Sequence, residues 1–179
     1  MKRYALTAIG RDKAGIVGAV TKALYEHDCN IEDSSMTTLQ DEFAIILIMS
    51  APDTSVEGDI NKTLKAVEEE FSLSIHLKMI DEKSHKKTPP STHIVTVSGY
   101  DKPGIVYKTT EFLAKWSINI KDLETKIVGG EAQNIYIMLL EVHFPKTLDE
   151  DAITGSLKTL GDSMGVAIEI KPVETYESL

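Results

Sequence analysis

Two hexapeptides carry the residue types best suited to chemistry in this 179-residue chain: Asp12-Lys13-Ala14-Gly15-Ile16-Val17 and Asp101-Lys102-Pro103-Gly104-Ile105-Val106. Each follows an apolar, strand-like run and opens an amphipathic, helix-like run. A glycine at the mouth of a helix lets a ligand approach the backbone closely. The first turn behind it offers unpaired N–H groups and the positive end of the helix dipole. Together these features predict a seat for a small anion such as a carboxylate. An Asn-Ile pair, Asn30-Ile31 and Asn119-Ile120, follows 18 residues after the aspartate in both copies. An asparagine amide both donates and accepts, so it can address the ammonium and the carboxylate of a free amino acid. The two strands joined by the helix are expected side by side, which would bring each asparagine to its own glycine loop. Asp12 and Asp101 can cap the helices or meet an ammonium through a charge-assisted contact. Gly15 and Gly104 would equally suit a tight turn, and the asparagines could simply satisfy loop backbone. Duplication of one gene would copy structural residues as readily as functional ones.

Other chemistry finds little support in the residues. His27, His76, His85, His93 and His143 show no metal-ligand spacing. His27 falls on the apolar face of a helix, where Trp116 takes its place in the second copy. Cys29 is the one thiol, with no base beside it in sequence, and reads as a small buried hydrophobe. There is no phosphate-binding glycine motif. Glu68-Glu69-Glu70 reads as a solvated helix face. The expectation is a protein that is not an enzyme, with no catalytic residue, no metal and no cofactor.

The net charge is −9, and the densest basic site is the pair Lys86-Lys87. Phosphate neutralisation drives nucleic-acid affinity, so direct DNA binding is disfavoured. No apolar run reaches membrane-spanning length. Met1-Lys2-Arg3-Tyr4 leads straight into a strand pattern without a signal peptide. With a single cysteine, this fits the reducing cytoplasm.

The elements that must position the two loops come in the same order twice. Tyr4–Gly10 and Thr92–Gly99 read as strands. Ile16, Val17, Val20, Leu24 and His27 recur at helical spacing, as do Ile105, Val106, Thr109, Leu113 and Trp116. Asn30–Leu39 and Ile118–Val128 read as second strands. The turns Gln40-Asp41-Glu42 and Gly129-Gly130 lead into the apolar runs Phe43–Met49 and Asn134–Val142. Breaker residues Pro52–Ser55 precede a second helix in the first copy, and Asp149 stands near the start of its counterpart. Alternating strands close each copy. The resulting order, strand-helix-strand-strand-helix-strand, predicts an α+β fold of two ferredoxin-like units with antiparallel sheets and both helices on one face. Their expected spans are 1–80 and 92–175. The linker 81–91 carries Thr88-Pro89-Pro90-Ser91, which favours an extended connection. Phe43–Met49 and Ile135–Leu140 do not alternate as one-sided strands should. Both faces of these strands are therefore expected to be covered, by sheet-to-sheet packing between repeats or between subunits of a homodimer or larger assembly.

The Asp-Lys-Pro-Gly-Ile-Val loop, the amphipathic helix and the following Asn-Ile resemble the ACT domain, an amino-acid-sensing module, in two tandem copies covering nearly the whole chain. The stretch Cys29-Asn30-Ile31-Glu32-Asp33-Ser34-Ser35-Met36, with Leu39 and Glu42-Phe43, resembles the glycine-cleavage-repressor branch of that family. The resemblance implies a transcriptional regulator that binds a small amino acid, such as glycine, and acts through a DNA-binding transcription factor. The alternatives are a ligand-free interaction module and a regulatory subunit of an amino-acid enzyme. It also implies effector sites between two ACT units, with Ala14, Gly15, Ile16, Val17, Asn30 and Ile31 in one copy. Pro103, Gly104, Ile105, Val106, Asn119 and Ile120 correspond in the other. Ala14 replaces the usual proline, and Lys121-Asp122-Leu123 replaces the first copy's Glu-Asp-Ser, so the two sites need not bind the same ligand.

Overall fold

A computed structural model describes residues 2–52, 57–80, 91–130, 133–145 and 148–173. The expected linker and the Pro-Pro pair lie almost wholly outside these residues, as do Asp53, Thr54 and Ser55. The chain divides into two compact units, residues 1–85 and 86–179. The first contains β1 (Lys2–Arg11), α1 (Ile16–Tyr25), β2 (Asn30–Leu39), β3 (Glu42–Ala51), α2 (Glu57–Phe71) and β4 (Ser74–Ile80). The second contains β5 (Ser91–Tyr100), α3 (Ile105–Lys115), β6 (Asn119–Gly130), β7 (Gln133–Phe144), α4 (Glu150–Met164) and β8 (Val166–Pro172). Gly129 and Gly130 lie within the β6 ladder, paired to Asn134 and Gln133. They extend the hairpin and do not turn it.

Each unit is an antiparallel four-stranded sheet, ordered β2-β3-β1-β4 and β6-β7-β5-β8. Period-two burial in the inner strands separates the two faces of each sheet. Tyr4, Leu6 and Ala8 of β1 point into a core with Phe43, Ile45, Leu47 and Met49 of β3, against Val20 and Leu24 of α1 and Ile60 and Leu64 of α2. Val95, Val97, Met138, Leu140, Leu113, Ile153 and Leu157 form the matching core of the second unit. The alternate residues of these strands point to the opposite face of each sheet. Ile46 is 46% exposed and Ile135 is 47% exposed. The apolar runs are uninterrupted because these outer positions are apolar as well.

The core of the second unit contains a conflict absent from the first. Thr109 of α3 is fully buried and, among the described residues, its hydroxyl has no hydrogen-bond partner. Val20 occupies the corresponding position of α1 and is also fully buried. A buried unpaired hydroxyl costs more than a methyl of similar shape. Thr109→Val is expected to stabilise the second unit by about 1 kcal/mol, measured by urea unfolding.

The acidic run on α2 is not uniformly solvated. The Glu68 side chain is only 17% exposed. It accepts the Ile75 backbone N–H at 2.6 Å and pairs with Lys65 at 2.8 Å, tying the end of α2 to β4. The Ile75 hydrogen bond, followed by the Lys65 contact, holds its carboxyl below the ordinary glutamate value. A carboxylate pKa lowered on folding contributes stability above its unfolded value, about 4.3. That contribution is lost as pH falls through the folded value. Glu68→Gln should therefore lower the melting midpoint at pH 7 and flatten the decline in stability below about pH 4. Thermal melts from pH 3 to pH 7 measure both effects.

Candidate functional site

Both glycine loops form the predicted helix mouths. Gly15 has φ 100° and is the N-cap of α1, and Gly104 has φ 96° and is the N-cap of α3. This left-handed conformation is one that residues with a Cβ rarely adopt. No side chain caps either helix, so the capping expectation for Asp12 and Asp101 fails. Each aspartate stands three residues before the cap, too far back to reach the first-turn N–H groups. The Asp12 backbone N–H instead donates to the Asp41 carbonyl at 2.8 Å, tying the loop to the β2–β3 turn. The carbonyls of Gly15 and Gly104 accept the first helical bonds, from Ala19 and Lys108, each at 2.9 Å.

The predicted site residues divide by what they expose. Ile16 and Ile105 are 1% and 3% exposed and anchor the helices in the cores, so only their backbones can meet a ligand. Ala14, Pro103 and both aspartates are exposed, and Val17 and Val106 are partly exposed beside the mouths. Ile31 is 37% exposed, and Ile120 packs against the second core. Asn30 and Asn119 are exposed, and their amides have no hydrogen-bond partner among the described residues.

The asparagines do not lie beside their own loops. β3 separates β1 from β2, and β7 separates β5 from β6. Asn30 pairs with Ser50, which pairs with Arg3 at the start of β1. The Gly15 loop follows Arg11, level with Glu42 and Leu39. Eight residues of strand, about 27 Å, separate Asn30 from the Gly15 end of the sheet. The second unit repeats this, with Asn119 level with His143 and Thr92, and the Gly104 loop beyond Tyr100. The helix carries the chain back along the sheet, so its two flanking strands are parallel and one strand apart. The register shifts immediately after each Asn-Ile pair, at Glu32 and at Lys121. Such a bulge re-aims the side chains next to it. In the first unit Glu32 reaches across to Arg3 at 2.7 Å; Thr92 and Lys121 take these places in the second.

Several residues near the mouths were not singled out from the sequence. The Lys13 amine donates to the Phe71 carbonyl at the end of α2, at 3.4 Å. The Lys102 amine lies 3.3 Å from where a Cβ on Gly165, the C-cap of α4, would stand. Both repeated lysines thus sit at the negative end of their unit's second helix. The Phe71 ring comes within 3.6 Å of the Cβ position of Gly15, whereas beyond its chain neighbours no described residue comes within 4 Å of that of Gly104. Tyr136 on β7 replaces Phe43 on β3 and is 8% exposed. Its buried hydroxyl lies beside the Thr125 side chain. Burial, followed by the Asp101 charge, pushes its pKa up, keeping it a donor at neutral pH. The repeat makes all these positions visible, but only packing reveals what they touch.

Among the described residues, no cluster of His, Cys, Asp and Glu could hold a metal ion, and no helix is long and apolar enough to cross a membrane. Burial, with Asp28 adding to it, raises the Cys29 pKa, which suits an inert thiol. His27 meets the Thr63 hydroxyl at 2.8 Å. His93 stacks on Phe144 with centroids 4.3 Å apart and contacts Glu150 at 3.2 Å. These contacts give both histidines packing roles.

Two βαββαβ units with glycine-capped helix mouths define a tandem ferredoxin-like protein. The ACT domain model matches residues 4–78 and again 91–171, and the chain belongs to the ACT-domain family. It is 27% identical over 157 residues to the glycine cleavage system transcriptional repressor of Escherichia coli, covering 87% of this chain and 82% of the relative. It is 39% identical over 77 residues to the UPF0237 protein MK1213 of Methanopyrus kandleri, covering 42% of this chain and 84% of that one. A crystal structure of an unknown protein from Galdieria sulphuraria superposes with a TM-score of 0.80 at 25% identity, covering 97% and 99% of the two chains.

Proposed function

We propose that this protein is a cytoplasmic amino-acid-responsive regulator that controls transcription through a DNA-binding partner. The observation carrying the proposal is the duplicated helix mouth, glycine-capped and without a side-chain acceptor. Its free N–H groups suit a carboxylate, and Asp12 or Asp101 suits an ammonium. Similarity to a repressor of glycine cleavage favours glycine as the effector. The chain's net charge of −9 favours a partner protein as the DNA reader.

The separation of Asn30 from Gly15 gives this reading a quaternary requirement: a site that uses both must draw them from two different units. The β2 and β6 strands are sheet edges, exposed along nearly their whole described length. An exposed edge is a template for pairing with another strand. Two-fold antiparallel pairing of β2 with β2 of a second copy would set Asn30 opposite the partner's Leu39, at the Gly15 end of that sheet. The same pairing through β6 would bring Asn119 to the Gly104 end of the partner unit. The homodimer would thereby complete the sites. Effector binding would then act on transcription to the extent that it favours one assembly or conformation over another.

Calorimetric titration with each of the twenty amino acids, paired with sedimentation, tests the proposal. Binding of one or a few small amino acids to a dimer is expected. Heat from none of them would remove the sensing role.

A further inference from the structure

In each unit the segment that leads into the first helix lies against the end of the second helix. Near the end of β1, a Cβ on Gly10 would stand 2.9 Å from Leu73 Cδ2 and 3.0 Å from the Ser72 carbonyl oxygen. Near the end of β5, a Cβ on Gly99 would stand 2.8 Å from Val166 Cγ1 and 3.1 Å from Val166 Cα. Both junctions turn through a left-handed residue, Ser72 at φ 57° and Gly165 at φ 69°. Such a turn ends a helix, whose last carbonyls then need partners from outside its own ladder. Phe71 is the last residue of α2, and its carbonyl accepts from the Lys13 amine at 3.4 Å. In the second unit the Lys102 amine stands against Gly165, the C-cap of α4. The neighbours differ, an aromatic residue in one unit and a glycine cap in the other. The lysine at the helix end is common to both.

We propose that Lys13 and Lys102 are positioning residues, each latching its glycine loop to the negative end of the unit's second helix, so that loop and helix–strand junction open together. A cation is favoured at that end of the dipole, and a lysine amine can donate to the last carbonyls. One residue, Ala14 or Pro103, separates each lysine from the glycine that caps the first helix. A held amine therefore fixes where that cap stands. If the loops receive the effector, as proposed above, the latch carries its occupancy to the α2–β4 and α4–β8 junctions. The latch itself does not depend on that reading and is tested in the free protein.

The test follows amide hydrogen exchange, residue by residue, in the full chain. Wild type is compared with Lys13→Met, Lys102→Met and the corresponding arginine variants. Both lysines are exposed, so the fold should hold. In the first unit the reporters are Ala19 and Leu73, whose N–H groups donate to the Gly15 and Glu68 carbonyls at 2.9 and 3.0 Å. In the second they are Lys108 and Gly165, which donate to the Gly104 and Asp162 carbonyls at 2.9 and 3.2 Å. Each methionine variant is expected to speed exchange about threefold or more at both reporters of its own unit. The core amides of Leu47 and Leu140 should keep their wild-type rates. Arginine keeps the charge and the donor, and should bring the reporters back to within about twofold of wild type. Unchanged reporters, acceleration at one reporter without the other, equal acceleration in the core, or failure of arginine to restore the rates would overturn the latch in that unit. Absence of amino-acid binding by calorimetry would remove the effector reading and leave these rates as the judge of the latch.

Discussion

Gly161→Ala is expected to destabilise the second unit by about 1–3 kcal/mol, whereas Gly155→Ala, less than two turns earlier on α4, should stabilise it by about 1 kcal/mol. Alanine is ordinarily the better helix former because glycine loses more backbone entropy on folding. That advantage should appear at Gly155, where, among the described residues, an added Cβ meets nothing within 4 Å beyond its own helix. At Gly161 the same atom would stand 2.7 Å from the Val166 carbonyl oxygen and 3.1 Å from Ile168 Cγ1. A backbone oxygen at the start of β8 cannot rotate away as a flexible side chain would, so α4 must lift from the sheet. Lifting it would loosen Ile153, Leu157 and Met164, all core residues. Urea unfolding of the two single variants checks the opposite signs. Equal stabilisation by both would mean that α4 does not pack against β8 as closely as described. The loss is also expected to reach the effector, since Gly165 at the end of α4 lies against Lys102 of the loop.

Much of this architecture was legible in the sequence. The matching Asp-Lys-x-Gly-Ile-Val loops and their equal spacing to Asn-Ile fix two copies of one unit, and apolar periodicity marks the strands and helices. Strand order was the decisive omission. Periodicity identifies strands but not their neighbours, so it could not show β3 lying between β1 and β2. It therefore could not place Asn30 at the far end of the sheet from Gly15. Capping preference favoured Asp12, but the loop spends three further residues before the helix begins, and glycine takes the cap. Glu68 looked solvated beside Glu69 and Glu70, because one turn of sequence cannot show that a strand backbone will meet one carboxylate of the three. The contrast between Tyr136 and Phe43 is visible when the copies are aligned. Its meaning depends on the position of the hydroxyl, which packing determines.

The placement of the asparagines yields a prediction that distinguishes a shared site from a site within one unit. Gly104→Ala should block the second mouth, because its Cβ would enter the space the ligand needs; the left-handed backbone also makes it cost about 1–2 kcal/mol in stability. Asn119→Ala should leave the fold intact, since the exposed amide has no partner among the described residues to lose. Each variant alone is expected to weaken effector binding by about 1–3 kcal/mol, roughly 5- to 150-fold. If one copy supplies the mouth and its two-fold partner supplies the asparagine, mixing the variants creates dimers in which one of the two sites is fully wild type. With random assortment, roughly a quarter of the wild-type high-affinity sites should reappear. Calorimetric capacity of the mixture, measured after dissociation and reassembly, reads this directly. Had the mouth and the asparagine belonged to the same unit, every site in the mixture would still carry one lesion, and high-affinity binding would not return. Recovery in the mixture, with neither parent active, is an outcome that a separation of about 27 Å within one unit allows only through a second copy.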